Sequence, residues 1–217
     1  MSQNREKERW RVDQLRHPVL PLLIALDQKD DSLVYVGLGA RLSPLADFAR
    51  RHKATLEVER RPTSARRQLH EYLAGTRTEF QLKLRLLGTP FQVQAWRALC
   101  QIPFGETRSY AQQAGLLGNP AAARAVGRAN STNPIPIIVP CHRVVGHNGS
   151  LTGFGGGIAA KRWLLDLENP QRTFASLLAA PLATGTRRSD HSTTSRGRAR
   201  SRARRPKPAK EVAASTR

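Results

Sequence analysis

A thiol and an imidazole are adjacent at Cys141 and His142, inside an apolar, proline-rich segment at residues 134–145. The thiolate is the reactive form of cysteine, and a neighbouring imidazole is a common means of raising its population. An arbitrary cysteine is most often a small buried hydrophobe, but Pro140 and His142 on either side of this one favour a reactive group. The Ile and Val residues of 135–139 predict a rigid, strand-like platform that ends at the thiol.

Length and composition indicate the size of the protein and the compartment in which this thiol would lie. The 217 residues suffice for one good core or two small domains. With only Cys100 and Cys141, the chain has neither a disulfide framework nor the spacing of a structural zinc site, so a reducing compartment is expected. Residues 1–16 are charged throughout and are no signal peptide, and the apolar run at 19–26 is too short to cross a membrane. We expect a soluble cytoplasmic protein without a metal or a membrane partner.

The charge of the chain points to a polyanionic partner. Lysine and arginine number 36 against 16 acidic residues, a formal net charge of +20. Residues 171–217 hold twelve of the cations against Asp190 and Glu211, so half of the excess lies in this tail. The remainder lies in the part that should fold, and nucleic acid is the first candidate partner.

A charged N-terminal segment, residues 1–16, precedes a first predicted domain at residues 17–87, which is α/β in character. Apolar runs joined by a polar turn at 27–31 predict a hairpin, and residues 54–58 alternate like a strand. A helix should begin at Thr63, after this strand. Nothing in this domain has a catalytic pattern, and we expect it to act in packing and scaffolding.

The second predicted domain, residues 88–170, contains a helix-turn-helix outline. Its first helix should place Cys100 in the core. A short helix then begins at Tyr110, and after a tight turn a further helix covers 121–129, which is the helix-turn-helix arrangement. That last helix is almost entirely Ala and Gly, with Arg124 and Arg128 as its only long side chains. It either approaches a nucleic acid closely or packs as a buried small-residue contact, and composition alone leaves both open.

Two further segments complete the predicted layout. The glycine-rich loop at 146–157 is no nucleotide fingerprint, since no phosphate-loop lysine follows it, but glycine permits close approach of backbone to a ligand. Residues 158–168 form an amphipathic helix. The tail at 171–217 has too few apolar groups to fold, and we expect it to be disordered.

At this point the residues resemble those of a known family, the O6-alkylguanine-DNA alkyltransferases. The resemblance covers residues 89–168 closely and the first domain only in general layout. It is carried by several motifs in the right order, namely Ile102-Pro103-x-Gly105, Ala123-Arg124-Ala125-Val126-Gly127, Asn133-Pro134-x-Pro136, Pro140-Cys141-His142-Arg143 and Lys161-x-Trp163-Leu164-Leu165. It implies a ribonuclease-H-like first domain and a mostly α, winged-helix-like second domain that carries the cysteine.

The resemblance also implies the reaction. Cys141 would accept the methyl or other alkyl group of O6-alkylguanine, and possible substrates include O4-methylthymine. His142 would serve as its base through a water molecule, oriented by Glu168, and Asn133 would hold the turn before the cysteine. Tyr110 would donate its hydroxyl to the ring nitrogen of the departing guanine. Each molecule would react once, with no cofactor.

Residues that meet double-stranded DNA and the flipped base are implied in the same way. Arg124 would enter the duplex from the minor groove and fill the gap left by the base, while Tyr110 would crowd the phosphate of the flipped nucleotide. Ala123, Gly127 and Arg128 would contribute to the same DNA-binding helix. The substrate pocket would comprise Pro136, Pro140, Val144, Phe154 and Gly155, with backbone groups near Val144 and Gly155 reading the guanine edge. We expect the protein to act as a monomer.

Two residues depart from the family pattern, and other functions compete with alkyl transfer. Phe154 stands where a tyrosine is usual and Gly155 where serine or alanine is usual, so we expect altered pocket polarity or rate. The alternatives are a non-catalytic alkyltransferase-like protein that binds lesions, a DNA-binding regulator and a cysteine hydrolase. The first lacks an acceptor cysteine, and the last normally has its histidine far from the cysteine in sequence.

Overall fold

The computed structural model describes residues 8–59 and 61–169. The expected disordered tail at 171–217 lies outside these described residues. The strands are β1 (Glu8–Leu15), β2 (Leu22–Asp27), β3 (Leu33–Leu38), β4 (Ala54–Val58), β5 (Arg108–Ser109) and β6 (Val144–Val145). The α-helices are α1 (Leu42–Arg51), α2 (Ser64–Leu73), α3 (Pro90–Leu99), α4 (Tyr110–Leu116), α5 (Ala123–Ser131) and α6 (Gly157–Glu168), with 3₁₀ turns at Pro120–Ala122 and Cys141–Arg143.

Four strands form a mixed sheet in the order β3-β2-β1-β4. β2 and β3 make the predicted hairpin, and β1 is antiparallel to β2 but parallel to β4. The expectation that residues 1–16 are only a charged segment ahead of the domain is wrong, because Glu8–Leu15 is an interior strand of this sheet. Trp10 and Leu15 are buried on opposite faces of this strand, in two different clusters of the core, and the charged residues between them mask the strand pattern.

A large hydrophobic core unites residues from both predicted domains. It contains Leu22 and Ile24 of β2, Leu69 of α2, Trp96 of α3 and Ile135 from the segment before the cysteine. Burial of these side chains removes apolar surface from water, which is the main favourable contribution to folding. The mixed sheet therefore packs directly on the elements that carry the thiol.

The segment expected to form a helix-turn-helix contains α4 and α5, which are joined by a turn and pack on each other. Ser109 caps α4 through a capping box with Gln112, so that the helix begins at Tyr110. A buried pair of hydrogen bonds between Gln113 and Asn130, at 2.7 and 3.1 Å, joins the two helices. Paired amides satisfy each other's donors and acceptors, which fixes the corner more specifically than apolar contact alone.

Cys100 is not in the core as expected. It is the C-cap of α3 and is exposed, and its Sγ atom lies 3.6 Å from the carbonyl oxygen of Trp96. The inward face of α3 is occupied instead by Trp96 and Leu99. No helix in the described part of the chain is long and apolar enough to cross a membrane.

Candidate active site and nucleic-acid interface

The segment that delivers Cys141 is a buried turn, so the strand-like platform expected for 135–139 is wrong. Its regular pairing is limited to a single bridge between Pro136 and Val139. Asn133 organises the turn, since its Nδ2 donates to the carbonyl of Val139 at 2.8 Å and its Oδ1 accepts from the backbone N–H of Ile135 at 3.0 Å. Prolines lack an N–H for a strand ladder, and a side-chain amide replaces the missing partners.

Cys141 opens the 3₁₀ turn that follows, with only 8% of its surface exposed. Burial raises the pKa of its thiol, whereas a hydrogen bond with Asn133 and the nearby charge of Lys161 act to lower it. Lys161 is itself buried on α6, and its Nζ donates to the carbonyls of Val144 at 2.6 Å and Thr152 at 2.7 Å. Burial outweighs both effects, so the pKa of Cys141 is raised and the resting thiol is neutral, while the charge of Lys161 reduces the cost of forming the thiolate.

His142 and Glu168 meet as the resemblance implies. The ring Nε2 of His142 lies 2.9 Å from Oε1 of Glu168, and both side chains are buried. An ionised carboxylate only accepts, so Nε2 carries the hydrogen in the neutral ring and Nδ1 keeps a free lone pair. Nδ1 has no hydrogen-bond partner among the described residues. Burial lowers the pKa of His142, against the pull of Glu168, so the ring is neutral and able to accept a proton.

Glu168 is held as a carboxylate by several donors. Arg143 donates to it from Nη2 at 2.9 Å and from Nε at 3.0 Å, and the backbone N–H of Gly105 donates at 3.1 Å. Burial alone raises the pKa of Glu168, but hydrogen bonds from His142 and Arg143 outweigh it and lower the pKa to about 2. The negative charge is therefore permanent at neutral pH and favours a proton on His142 during reaction.

A side chain from the first predicted domain also reaches this cluster. The hydroxyl of Tyr72, on α2, donates to Oε1 of Glu168 and lies 3.4 Å from Nε2 of His142. One residue of the domain expected to act in packing and scaffolding thus contacts the buried groups of the site. Its sequence has no local signal for such a contact, because Tyr72 follows the ordinary apolar periodicity of α2.

Two short strands bring Tyr110 near the end of the cysteine turn. β5 and β6 are parallel, with Arg108 opposite Val144, so the start of α4 is adjacent to the end of the cysteine turn. The Tyr110 hydroxyl is 3.5 Å from the carbonyl of Thr152. A Cβ atom on Gly127 would lie 3.5 Å from its ring, an ordinary van der Waals distance, so α5 packs against this tyrosine without a strict need for glycine at this position.

The expected pocket residues differ in accessibility. Phe154 is half-buried, and its ring centroid is 6.4 Å from that of His142 in an edge-to-face arrangement. Gly155 is exposed beside it, while Pro136 and Pro140 are buried. Phe154 and Gly155 are therefore partly or fully accessible to solvent, whereas Pro136 and Pro140 lie in the interior.

The helix α5 has two distinct faces. Val126 and Ala129 are buried, whereas Arg124 and Arg128 are exposed and make no ion pair with another described residue. Ala123 is half-buried between them. The expected cations are thus directed outward on a surface of small residues, which suits close contact with a phosphate backbone.

Three residues of the site were missed from the sequence alone, namely Tyr72, Arg143 and Lys161. A signal was available for Lys161. It shares the inward face of α6 with Leu164, Leu165 and Glu168, at spacings of three, four and seven residues, and charged residues on a buried helix face require a partner.

Comparisons with known proteins agree with this geometry. The model of a protein family described as the DNA-binding domain of 6-O-methylguanine DNA methyltransferase matches residues 90–170. The methylated-DNA–protein-cysteine methyltransferase of Mycobacterium tuberculosis is 61% identical over 101 residues, 46% of this chain and 61% of that protein. Its counterpart in Methanosarcina acetivorans is 45% identical over 151 residues, 70% of this chain and 93% of that protein. The crystal structure of Mycobacterium tuberculosis OGT in complex with DNA has a TM-score of 0.63 at 44% identity and covers 75% of this chain and 94% of that chain.

Fold and site together define an α/β protein, with a mixed sheet and helices, that holds a buried cysteine. The chain belongs to the methylated-DNA–protein-cysteine methyltransferase family, because it matches almost the full length of a member at 45% identity. Its match to the Mycobacterium tuberculosis member spans 61% of that protein's length.

Proposed function

We propose that this protein repairs DNA by transferring the alkyl group of O6-methylguanine to Sγ of Cys141, once per molecule. The observation that carries the proposal is the buried thiol between the ammonium of Lys161 and the pair formed by His142 and Glu168. Burial keeps the thiol neutral at rest. The arrangement supplies a base for its proton and an opposite charge for the thiolate that forms during reaction, in a water-poor site. The family matches support the same activity.

The transfer is a displacement at the methyl carbon. The Sγ–C bond forms as the C–O6 bond breaks, and its electrons pass into the guanine ring. The thiol proton moves to Nδ1 of His142 through a water molecule, and Glu168 stabilises the resulting imidazolium. The hydroxyl of Tyr110 donates a hydrogen bond to the ring nitrogen of guanine and stabilises the negative charge of the leaving base, which then takes up a proton from solvent as the imidazolium of His142 returns its own proton to solvent. The thioether product has no easy hydrolytic exit, so we propose single turnover without a metal or organic cofactor.

A methyl group on a stacked base is out of reach of a side chain, so the base must be flipped out of the duplex. We assign this step to α5. Arg124 inserts between the bases and offsets the unstacking energy, Arg128 contacts phosphate, and Ala123 and Gly127 let the helix approach the groove. The partner is therefore double-stranded DNA with an alkylated guanine. We assign the flipped base to the pocket of Pro136, Pro140, Val144, Phe154 and Gly155.

The finer aspects of organisation are part of the same proposal. We assign residues 17–87, together with the strand that precedes them, to a ribonuclease-H-like domain, and 88–170 to a winged-helix-like domain for DNA binding and transfer. We further propose that the protein is a cytoplasmic monomer, that Asn133 keeps the cysteine turn in place during reaction, and that the basic tail at 171–217 adds non-specific DNA affinity.

A mass measurement tests the proposal. The protein is incubated with a duplex that contains O6-methylguanine, and intact and peptide masses are taken. We expect one methyl group on the peptide that contains Cys141, in equal amount to the repaired guanine. Cys141→Ala should bind the duplex without repair, while Cys100→Ala, at the exposed cysteine, should react like the native protein. Tight lesion binding without mass gain would favour the non-catalytic lesion-binding alternative, and repeated turnover would favour a hydrolase.

A further inference from the structure

Tyr72 is a buried polar group that the proposed reaction does not yet use. Its side chain is fully buried, with its ring centroid 5.2 Å from that of Phe80 and 6.1 Å from that of Phe104. Its hydroxyl has Glu168 and His142 as hydrogen-bond partners. A hydroxyl in an apolar shell is costly unless it is paired, so the position of this ring is coupled to the carboxylate.

Tyr72 and His142 share one acceptor atom. Oε1 of Glu168 accepts from the Tyr72 hydroxyl, from Nε2 of His142 and from Nη2 of Arg143. Burial and the adjacent carboxylate raise the pKa of Tyr72 far above its ordinary value, so it is a neutral donor at every working pH. A neutral donor lowers the pull of the carboxylate on the imidazole proton without adding a charge.

We propose that Tyr72 is a positioning residue for alkyl transfer, which holds Glu168 and thereby sets both the orientation and the proton affinity of His142. The inference rests on the proposed function. It means that the N-terminal half of the chain tunes a reaction whose reacting groups all lie in the C-terminal half.

Every charged group that faces His142 bears on this inference. Glu168 and Lys161 approach from α6, and Arg143 is its neighbour in the 3₁₀ turn. Glu168 favours the protonated ring, while Arg143 and Lys161 disfavour it. Removal of the Tyr72 hydroxyl leaves these charges in place and strengthens the influence of Glu168 alone. The proton affinity of His142 should therefore rise.

Tyr72→Phe tests the inference, since it retains the ring between its two aromatic neighbours. Single-turnover methyl transfer is measured across a pH series at saturating DNA. We expect the maximal rate to fall about fivefold, because one hydrogen bond to a charged group is lost. The acid limb of the profile should move upward by roughly half a pH unit. Tyr35→Phe, at a half-buried tyrosine packed on Phe48, is the matched control and should leave the profile unchanged.

A second measurement separates this inference from the proposed function. The ring nitrogen signals of His142 are followed by NMR and assigned by comparison with His142→Gln. We expect an Nε2–H tautomer in the native protein and displaced ring signals in Tyr72→Phe. If the native protein transfers no methyl group, the proposed function fails and the ring signals still decide the role of Tyr72. Unchanged signals for His142 in Tyr72→Phe, whatever its stability, would overturn the inference.

Discussion

Replacement of Glu168 by glutamine is the most direct test of the buried group of hydrogen-bonded side chains around this carboxylate. The carboxylate accepts from Tyr72, His142, Arg143 and the backbone of Gly105. Glutamine has the same size but no charge, so the buried guanidinium of Arg143 loses its counter-ion. The amide can also donate to Nε2 of His142, which would stabilise the wrong tautomer.

The size of the effect follows from the pKa of Glu168. Although burial raises it, hydrogen bonds from His142 and Arg143 lower it from 4.5 to about 2. That difference corresponds to about 3 kcal/mol of stability at neutral pH, within the range for breaking a buried ion pair. Because the folded-state pKa lies below the unfolded value, the contribution is complete above pH 4.5 and is lost as the pH falls towards 2.

We therefore expect Glu168→Gln to lower the free energy of unfolding by about 3 kcal/mol at neutral pH and by progressively less in acid. Denaturant titrations over a pH series measure this difference. The rate of methyl transfer by the folded protein should fall about 100-fold, as for loss of an oriented general base. Asp166→Asn, on the same helix and without an ion pair to a described residue, is the control and should change neither quantity. A Glu168→Gln variant with native rate and a constant stability difference across pH would refute the reasoning.

Three further predictions concern the thiol and DNA. Lys161→Met should raise the pKa of Cys141, and slower alkylation by iodoacetamide at neutral pH would show this. An unchanged alkylation rate would mean that the ammonium of Lys161 does not lower the pKa of Cys141. Arg124→Ala should reduce repair of duplex DNA about tenfold, whereas Arg97→Ala, at an exposed arginine of α3, should not. Equal effects of the two substitutions would mean that Arg124 acts only through its charge. Deletion of residues 185–217 should weaken DNA binding mainly at low salt and flatten its salt dependence, and equal affinity with and without the tail would assign it no role in binding.

Local structure was largely predictable, because short-range rules govern it. The hairpin of β2 and β3 follows from two apolar runs around a polar turn, and α2, α3 and α4 begin at capping residues that the sequence displays. The strand β1 was missed because its exposed positions carry charges. The turn at 134–140 was misread because β-branched residues favour strands in isolation, while Asn133 and three prolines direct this segment otherwise.

The sequence by itself determined which chemical groups are available: Cys141 next to His142, a carboxylate at Glu168 and two arginines on a small-residue helix. The types of these residues and their local spacing are legible without a fold, but the outward direction of the arginines is not. Only the tertiary structure decided that Tyr72 shares Oε1 of Glu168 with His142 across 70 and more residues of chain. That contact depends on how the sheet and α2 pack on the second half, and packing is a property of the whole core that no local pattern encodes.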